Sequence, residues 1–310
     1  MDGVDFVEEL NVKTNGIRLQ VASCGESEDQ LALCLHGFPE CWYSWRLQMP
    51  LLRDLGYRVW APNLRGYGGS DRPSEISAYA IESLLDDVSG LIEASGARRV
   101  VLLGHDWGAV IAWYFAMRRP KEIDRLVIMN VPHPGCFTSG FRNPRQLLKS
   151  WYAVLFQLPR LPERMLLARP IGSMFAKSSA NPENFGKEVQ QVYTDYARIP
   201  GAATAMVNYY RALLRGGGGK RQKELGFPVI ETPTLMVWGE QDVALTKATT
   251  FGTSNYVSDL TLRYLPDASH WVQQDDPETV NEMLAAWLRG DEVPEANRES
   301  GRGGRPERSQ

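Results

Sequence analysis

The segment VVLLGHDWGAVIAW, residues 100–113, constrains the fold most, because it predicts a strand that turns sharply into a helix. The strand part is almost wholly apolar, which is typical of a parallel strand covered on both faces. Gly104, Gly108 and Ala109 are small enough to let the strand and the helix approach closely around the turn. The corner residue is Asp106, so a carboxylate is expected at the carboxyl edge of a sheet, where ligands of such folds bind.

Strand and helix patterns alternate through most of the rest of the chain. The pair Asn15-Gly16 predicts an opening hairpin, and the helical spacing of residues 83–95 closes on Gly96. Five further apolar runs predict strands, separated by helical or glycine-rich segments. The predicted fold class is therefore α/β, with a mostly parallel central sheet and helices on both faces.

The pattern changes between the last core strands. Helical spacing, prolines and aromatic residues predict an inserted helical cap, or lid, at residues 135–228. The α/β core then comprises residues 1–134 and 229–292. Residues 293–310 are expected to be a disordered tail, because the end of the chain is polar and rich in charge.

Composition excludes several classes of partner. A net charge of −3 gives no reason to expect binding to nucleic acid or to an anionic membrane. No apolar run reaches the roughly 18 residues that a membrane span requires, and the N-terminus lacks the pattern of a signal peptide. The four cysteines have no CxxC spacing and are expected to be reduced, which indicates a cytoplasmic protein. Either a monomer or a homodimer is compatible with the sequence.

Asp106 has two interpretations, a helix N-cap and a nucleophile. Two later sites favour the nucleophile: Asp242 follows one predicted strand, and His270 follows the last one. A nucleophile, an acid and a histidine in this order are typical of α/β-hydrolases. Glu240 and Asp267 are alternative acids, but the Gly-x-x-Asp spacing favours Asp242.

An early loop completes this predicted site. His36-Gly37-Phe38-Pro39 ends a strand and matches the loop that supplies one backbone N–H to an oxyanion hole. The other donor comes from the residue after the nucleophile. The predicted donors are therefore the N–H groups of Phe38 and Trp107.

A carboxylate as the nucleophile indicates that the substrate is attacked at a saturated carbon. An aspartate that attacks a saturated carbon forms an ester, which water activated by His270 and Asp242 can cleave. Epoxides and alkyl halides are the obvious electrophiles of this kind. An opening epoxide also needs a proton donor, and a tyrosine with a pKa of about 10 can supply one.

The motifs HGFPE (36–40), GHDWGA (104–109), GEQD (239–242) and SHW (269–271) resemble those of the single-domain, soluble-type epoxide hydrolases of the α/β-hydrolase fold. The resemblance implies that two cap tyrosines bind and protonate the epoxide oxygen. Tyr152 matches the first in a Tyr-x-x-x-Phe-Gln-x-Pro segment, and Tyr210 matches the second in an Asn-aromatic-Tyr-Arg segment.

Several further expectations follow from the resemblance. His36, Phe38 and Trp107 would line the substrate site with the two tyrosines. Tyr209 is the less favoured alternative to Tyr210, because neighbouring residues on a helix point about 100° apart. A small apolar epoxide would be the substrate, and neither a metal nor an organic cofactor would be required.

Two other functions stay open from the sequence. A haloalkane dehalogenase would use the same nucleophile, and Trp151 is a candidate second halide donor. Phe38 and Trp107 differ from the residues that two groups of dehalogenases carry at these positions. The other alternative is a non-catalytic member of the fold that binds a ligand.

Overall fold

A mostly parallel β-sheet forms the centre of the computed structural model, which describes residues 4–140, 149, 151–215 and 217–296. Its strand order is β1-β2-β4-β3-β5-β6-β7-β8. The pairs β1–β2 and β2–β4 are antiparallel, and every other pair is parallel. The strands are β1 (Glu8–Thr14), β2 (Ile17–Cys24), β3 (Gln30–Leu35), β4 (Arg58–Pro62), β5 (Arg99–His105), β6 (Arg125–Met129), β7 (Thr234–Gly239) and β8 (Leu260–Leu265).

The predicted hairpin and the predicted end of the first long helix are both confirmed. Asn15 and Gly16 have φ angles of 47° and 74°, the positive values that a tight two-residue hairpin requires. The helix over Ile81–Ser95 ends at Gly96, whose φ of 67° is left-handed.

Helices cover both faces of the sheet. Side chains alternate between the two faces along a strand, yet Val100 to His105 of β5 are all buried. The helices that flank the core strands in the sequence are α1 (Met49–Asp54), α2 (Ile81–Ser95), α3 (Trp107–Arg118), α11 (Val272–Asp275) and α12 (Pro277–Arg289).

The segment between β6 and β7, where the cap was predicted, is helical in its described part. Its α-helices are α4 (Pro134–Gly140), α5 (Trp151–Leu155), α6 (Leu161–Leu167), α7 (Gly172–Ser178), α8 (Lys187–Arg198), α9 (Ala202–Arg215) and α10 (Gly218–Glu224). Hydrogen bonds tie this segment to the core at several points. The hydroxyl of Tyr209 donates to the carbonyl of Arg65 at 2.8 Å, and Arg118 donates to Gln222 at 3.0 Å. We call this segment the cap.

The beginning of the predicted tail packs against the core. Val293 is buried, and Arg263 of β8 donates hydrogen bonds to the carbonyls of Val293 and Pro294. One apolar side chain and one arginine thus hold residues 293 and 294, the first two of the tail that was predicted at residues 293–310, against the core. Residues 297–310 lie outside the described part of the chain.

All four cysteines, Cys24, Cys34, Cys41 and Cys136, are free and buried. Within the described ranges, none of the helices combines the length and the apolar character needed to cross a bilayer.

Candidate active site

Asp106 occupies a sharp corner between β5 and α3. Its φ of 46° and ψ of −119° lie outside the usual regions for a residue with a side chain. A Cβ on Gly108 would approach the carbonyl oxygen of Leu35 to 2.0 Å, so α3 can come this close to β3 only with glycine there. A Cβ on Gly37 would lie 2.4 Å from the Cβ of Asp106. Small residues therefore bring the corner and the early loop together.

The two carboxylate oxygens of Asp106 face different groups. Oδ1 accepts a hydrogen bond from the backbone N–H of Phe38 at 2.7 Å. Oδ2 lies 3.5 Å from Nε2 of His270. Although Asp106 occupies the N-cap position of α3, its side chain makes no capping hydrogen bond, so the contacts do not support the helix-cap interpretation.

His270 is held by Asp242, the acid that the spacing favoured. Nδ1 of His270 lies 2.7 Å from Oδ2 of Asp242. The other oxygen of Asp242 accepts the N–H groups of Ala244 and Leu245. Of the alternative acids, Glu240 pairs with Lys247 and Asp267 is exposed, so neither takes this place in the structure.

The charges of these three groups depend on one another. Burial opposes ionisation of Asp106, but the hydrogen bond and charge of His270 hold its pKa below the ordinary value. Asp242 behaves in the same way, because His270, Asn130 and the N–H of Leu245 outweigh burial and lower its pKa. Burial acts to lower the pKa of His270, but Asp242 and Asp106 together raise it well above the ordinary value. A protonated His270 between two carboxylates is therefore the favoured resting state.

His36 fixes the early loop through bonds to backbone atoms. It is fully buried, its Nε2 accepts the N–H of Leu64 at 3.0 Å, and its Nδ1 donates to the carbonyl of Gly37 at 2.9 Å. Burial lowers its pKa to about 4, so the ring is neutral. Both ring nitrogens are thus bonded to backbone, and the expected contact of His36 with the substrate stays a prediction.

Two sets of supporting residues were not predicted from the sequence. Asn130 follows β6, donates to Oδ2 of Asp242 at 2.9 Å and accepts the N–H of Gly239 at 2.8 Å. Its place directly after a strand is the one sequence signal that it carries, whereas its φ of 48° is known only from the structure.

The second set is a buried pair below the site. Nδ1 of His105 lies 2.8 Å from Oε2 of Glu40, and its Nε2 lies 2.8 Å from the carbonyl oxygen of His270. Oε2 of Glu40 also accepts the N–H of Gly37. Glu40 and His105 thus connect the early loop with the loop that carries His270.

Aromatic side chains of the cap pack against Phe38 and Trp107, the two predicted oxyanion-hole residues. The ring of Tyr210 lies 5.1 Å from that of Trp107 and 5.2 Å from that of Phe38, measured between centroids. The rings of Tyr152 and Tyr210 are 5.9 Å apart. Burial raises the pKa of each tyrosine, and the charge of Asp106 raises it further, so both hydroxyls are protonated at neutral pH.

Contacts distinguish the other two aromatic candidates from Tyr152 and Tyr210. The ring of Tyr209 lies 5.3 Å from that of Trp107, but its hydroxyl donates to the carbonyl of Arg65. The side chain of Trp151 is 60% exposed, so Trp151 does not form part of an enclosed halide site. Across the described part of the chain, no group of three or more His, Cys, Asp or Glu side chains is arranged to hold a metal ion.

Known proteins of the same fold are similar to this chain in sequence. A sequence profile of the alpha/beta hydrolase fold matches residues 32–277. The chain is 39% identical over 295 residues to the AB hydrolase superfamily protein YfhM of Bacillus subtilis (strain 168), covering 92% of this chain and 99% of that protein. It is also 39% identical over 291 residues to epoxide hydrolase 3 of Xenopus tropicalis, covering 91% of this chain and 77% of that protein.

Solved structures give the same result. Epoxide hydrolase A from Mycobacterium thermoresistibile superposes with a TM-score of 0.80 at 31% identity, covering 93% of this chain and all of that one. An inhibitor complex of a Bacillus megaterium epoxide hydrolase superposes with a TM-score of 0.79 at 29% identity, covering 90% of this chain. The chain therefore belongs to the alpha/beta hydrolase fold family and, within it, to the epoxide hydrolases.

Proposed function

We propose that this protein hydrolyses a small apolar epoxide to a vicinal diol through an ester formed on Asp106. The observation that carries the proposal is that the two carboxylate oxygens of Asp106 have different neighbours. Oδ1 accepts a backbone N–H, whereas Oδ2 lies 3.5 Å from Nε2 of His270. We therefore assign the attack on the substrate to Oδ2 and the negative charge of the second step to Oδ1.

In the first step, Oδ2 of Asp106 attacks a ring carbon of the epoxide and the bond from that carbon to the epoxide oxygen breaks. The oxygen takes a proton from Tyr152 or Tyr210, whose raised pKa keeps the hydroxyl protonated until the alkoxide forms. The lowered pKa of Asp106 supports this step, because the nucleophile must be ionised. The product is an ester between the enzyme and the substrate.

In the second step, water attacks Cγ of Asp106. Neutral His270 takes the proton of the water, and Asp242 stabilises the resulting imidazolium. The negative charge develops on Oδ1, next to the N–H of Phe38 and the N–H of Trp107, which begins α3. The bond between Cγ and Oδ2 then breaks, the diol leaves with a proton from His270, and the carboxylic acid of Asp106 returns a proton to the tyrosinate.

The protonated tyrosines favour an epoxide over an alkyl halide. A halide leaves as a stable anion and needs only hydrogen-bond donors, whereas an opening epoxide forms a strong base. Phe38, Phe156 and Trp107 provide apolar surface around the tyrosines, which favours an apolar substrate.

The direct test is to interrupt the second step. His270→Gln removes the base but leaves the nucleophile, so incubation with styrene oxide should increase the intact mass by that of the substrate. Asp106→Ala is the matched control and should show neither adduct nor diol. If the His270 variant carries no adduct although the wild-type protein turns over the same epoxide, the ester mechanism is wrong.

A further inference from the structure

Asp275 lies five residues after His270, at the end of α11, and bridges the core and the cap. Its side chain is almost fully buried. Oδ2 accepts the backbone N–H of Ser269 at 2.6 Å, and Oδ1 accepts the hydroxyl of Ser179 in the cap. A buried carboxylate is costly unless its oxygens are bonded, and here two neutral donors bond it.

Further cap side chains hold the backbone around Asp275. Nδ2 of Asn181 donates to the carbonyl of Asp275 at 2.7 Å. Nδ2 of Asn184 lies 2.9 Å from the carbonyl oxygen of Gln274 and 3.0 Å from that of Asp275. These contacts come from residues 179–184, which follow α7 and extend into the 3-10 helix Pro182–Phe185. The end of α11 is therefore fixed to one short segment of the cap.

The last residue of α7 bonds the residue on the other side of His270. The indole N–H of Trp271 donates to the hydroxyl of Ser178 at 2.9 Å. Both neighbours of His270 in the chain, Ser269 and Trp271, are thus tied to the cap, the first through Asp275. We call the set of Ser178, Ser179, Asn181, Asn184 and Asp275 the loop clamp.

The loop clamp fixes the backbone beside His270, whereas Asp242 fixes only the imidazole ring. The hydrogen bond from Nδ1 to Asp242 sets the rotation of the imidazole ring. The distance of Nε2 from Asp106, 3.5 Å, also depends on where the backbone of residues 269–271 lies. A displacement of about 1 Å in such a group is enough to cost on the order of a hundredfold in rate.

We infer that Asp275 is a positioning residue for the second half of the reaction, through which the cap holds His270 where it can activate water. The inference rests on the proposed function. In the first step His270 exchanges no proton with the substrate, so loosening its backbone should leave ester formation nearly unchanged. In the second step His270 must take a proton from water above Cγ of Asp106, so the same loosening should slow ester hydrolysis.

Asp275→Ala tests this with single-turnover kinetics on styrene oxide, quenched at intervals for intact mass and diol. Ester formation should keep its rate, whereas ester hydrolysis should slow by about ten- to a hundredfold. The ester should accumulate in the steady state, and kcat and KM should fall together so that kcat/KM is unchanged. A general loss of structure would lower kcat/KM as well.

Two milder variants keep the test decisive if Asp275→Ala does not fold. Asp275→Asn retains an acceptor for the N–H of Ser269 and places its amide next to the hydroxyl oxygen of Ser179, so most of the hydrolysis rate should return. Ser179→Ala removes the side-chain link between Asp275 and the cap, together with an acceptor for the N–H of Asn181, and leaves the other contacts of the loop clamp. It should slow hydrolysis in the same direction, by less.

Gln222→Ala is the matched control, because Gln222 is a buried cap residue that bonds the core at Arg118 and Glu82, far along the chain from the clamp. It should lower the melting temperature and leave both rate constants unchanged. Equal slowing of both steps in Asp275→Ala and Ser179→Ala, or no slowing of hydrolysis in either, would overturn the inference. If the wild-type protein itself forms no ester, the proposed function fails, which is a separate outcome.

Discussion

His270 lies between two carboxylates, and the proposed formation of an ester on Asp106 would remove the charge of one of them. In the resting protein Asp242 and Asp106 both favour the imidazolium, so the pKa of His270 is well above its ordinary value. Ester formation turns Asp106 into a neutral group and removes one of these two charges. The pKa of His270 then falls, and the neutral base that hydrolysis requires becomes available at lower pH.

Asp106→Asn imitates this loss of charge. We expect it to lower the pKa of His270, because a neutral amide replaces the anion 3.5 Å from Nε2. Titration of the histidine by NMR measures the shift. Asp267→Asn, at an exposed acid three residues from His270, is the control and should leave the pKa in place. An unchanged or higher pKa in Asp106→Asn would show that Asp106 does not act on His270 as described.

The two cap tyrosines should act in the first step. Tyr152→Phe and Tyr210→Phe should each slow ester formation by about ten- to a hundredfold or more. The double variant should lose nearly all activity, because general acid catalysis contributes about 10²–10⁴-fold to the rate. Tyr209→Phe is the matched control. It loses only the hydrogen bond to the carbonyl of Arg65, so it should cost about 1 kcal/mol of stability and no activity. Equal effects of Tyr209→Phe and Tyr210→Phe on ester formation would contradict the assignment.

The sequence was informative about residues that follow strands directly. Asp106, Asp242 and His270 each come after a strand of one parallel sheet, so their meeting at its carboxyl edge could be predicted. Asn130 also follows a strand, but a single asparagine carries no chemical signal of its own. Asp275 and Glu40 were missed because their partners lie 96 and 65 residues away along the chain. Contacts over such separations depend on tertiary packing and leave no local pattern.

At the scale of the element, the strand–turn–helix unit of β5 and α3 depends on its small residues. Gly108→Ala would place a Cβ 2.0 Å from the carbonyl oxygen of Leu35, and backbone on both sides cannot move away cheaply. We expect a loss of several kcal/mol in the free energy of unfolding by urea, since overpacking of well-packed sites costs about 1–3 kcal/mol or more. Gly186→Ala is the control, because a Cβ there meets nothing within 4 Å and its φ is −55°. Similar stabilities for the two variants would contradict this account of the corner.

A buried ion pair fixes α2 to the loop that follows β4. Arg65 donates two hydrogen bonds to the carboxylate of Asp87, at 2.6 and 2.8 Å, and both side chains are at most 6% exposed. Asp87→Ala would leave the guanidinium buried without its anion, so we expect a loss of about 3–5 kcal/mol in unfolding free energy. Glu231→Ala breaks the exposed pair with Arg119 and should cost about 0–1 kcal/mol. Calorimetry or urea unfolding measures the two losses. Equal losses of unfolding free energy in Asp87→Ala and Glu231→Ala would contradict the larger contribution assigned to the buried pair.

The elements of the core were easier to predict than those of the cap. The hairpin at Asn15-Gly16 and the helix end at Gly96 follow from backbone conformations that few other residues adopt. The cap helices have no such markers at most of their ends, and several are only five to seven residues long. Their bounds depend on packing against the core, so the sequence could indicate helical content but not the individual helices.

At the scale of the whole molecule, the cap and the core each supply part of the proposed chemistry. The core provides the nucleophile, the acid, the histidine and the loop with Phe38. The cap provides Tyr152 and Tyr210, and Tyr210 packs against Trp107 next to Asp106. Through the loop clamp, the cap also fixes the backbone beside His270. The two half-reactions should therefore respond to different changes in the cap, the first to changes in its tyrosines and the second to changes in Ser179, which bonds Asp275.

The central claim is that the substrate is joined to Asp106 before water reaches it. A single turnover of styrene oxide, with protein in excess in oxygen-18 water, tests this most directly. We expect the first diol to carry only unlabelled oxygen, because its new oxygen is Oδ2 of Asp106, and the label should appear in that carboxylate. Label in the diol of the first turnover would show that water attacks the epoxide itself, which would contradict the account.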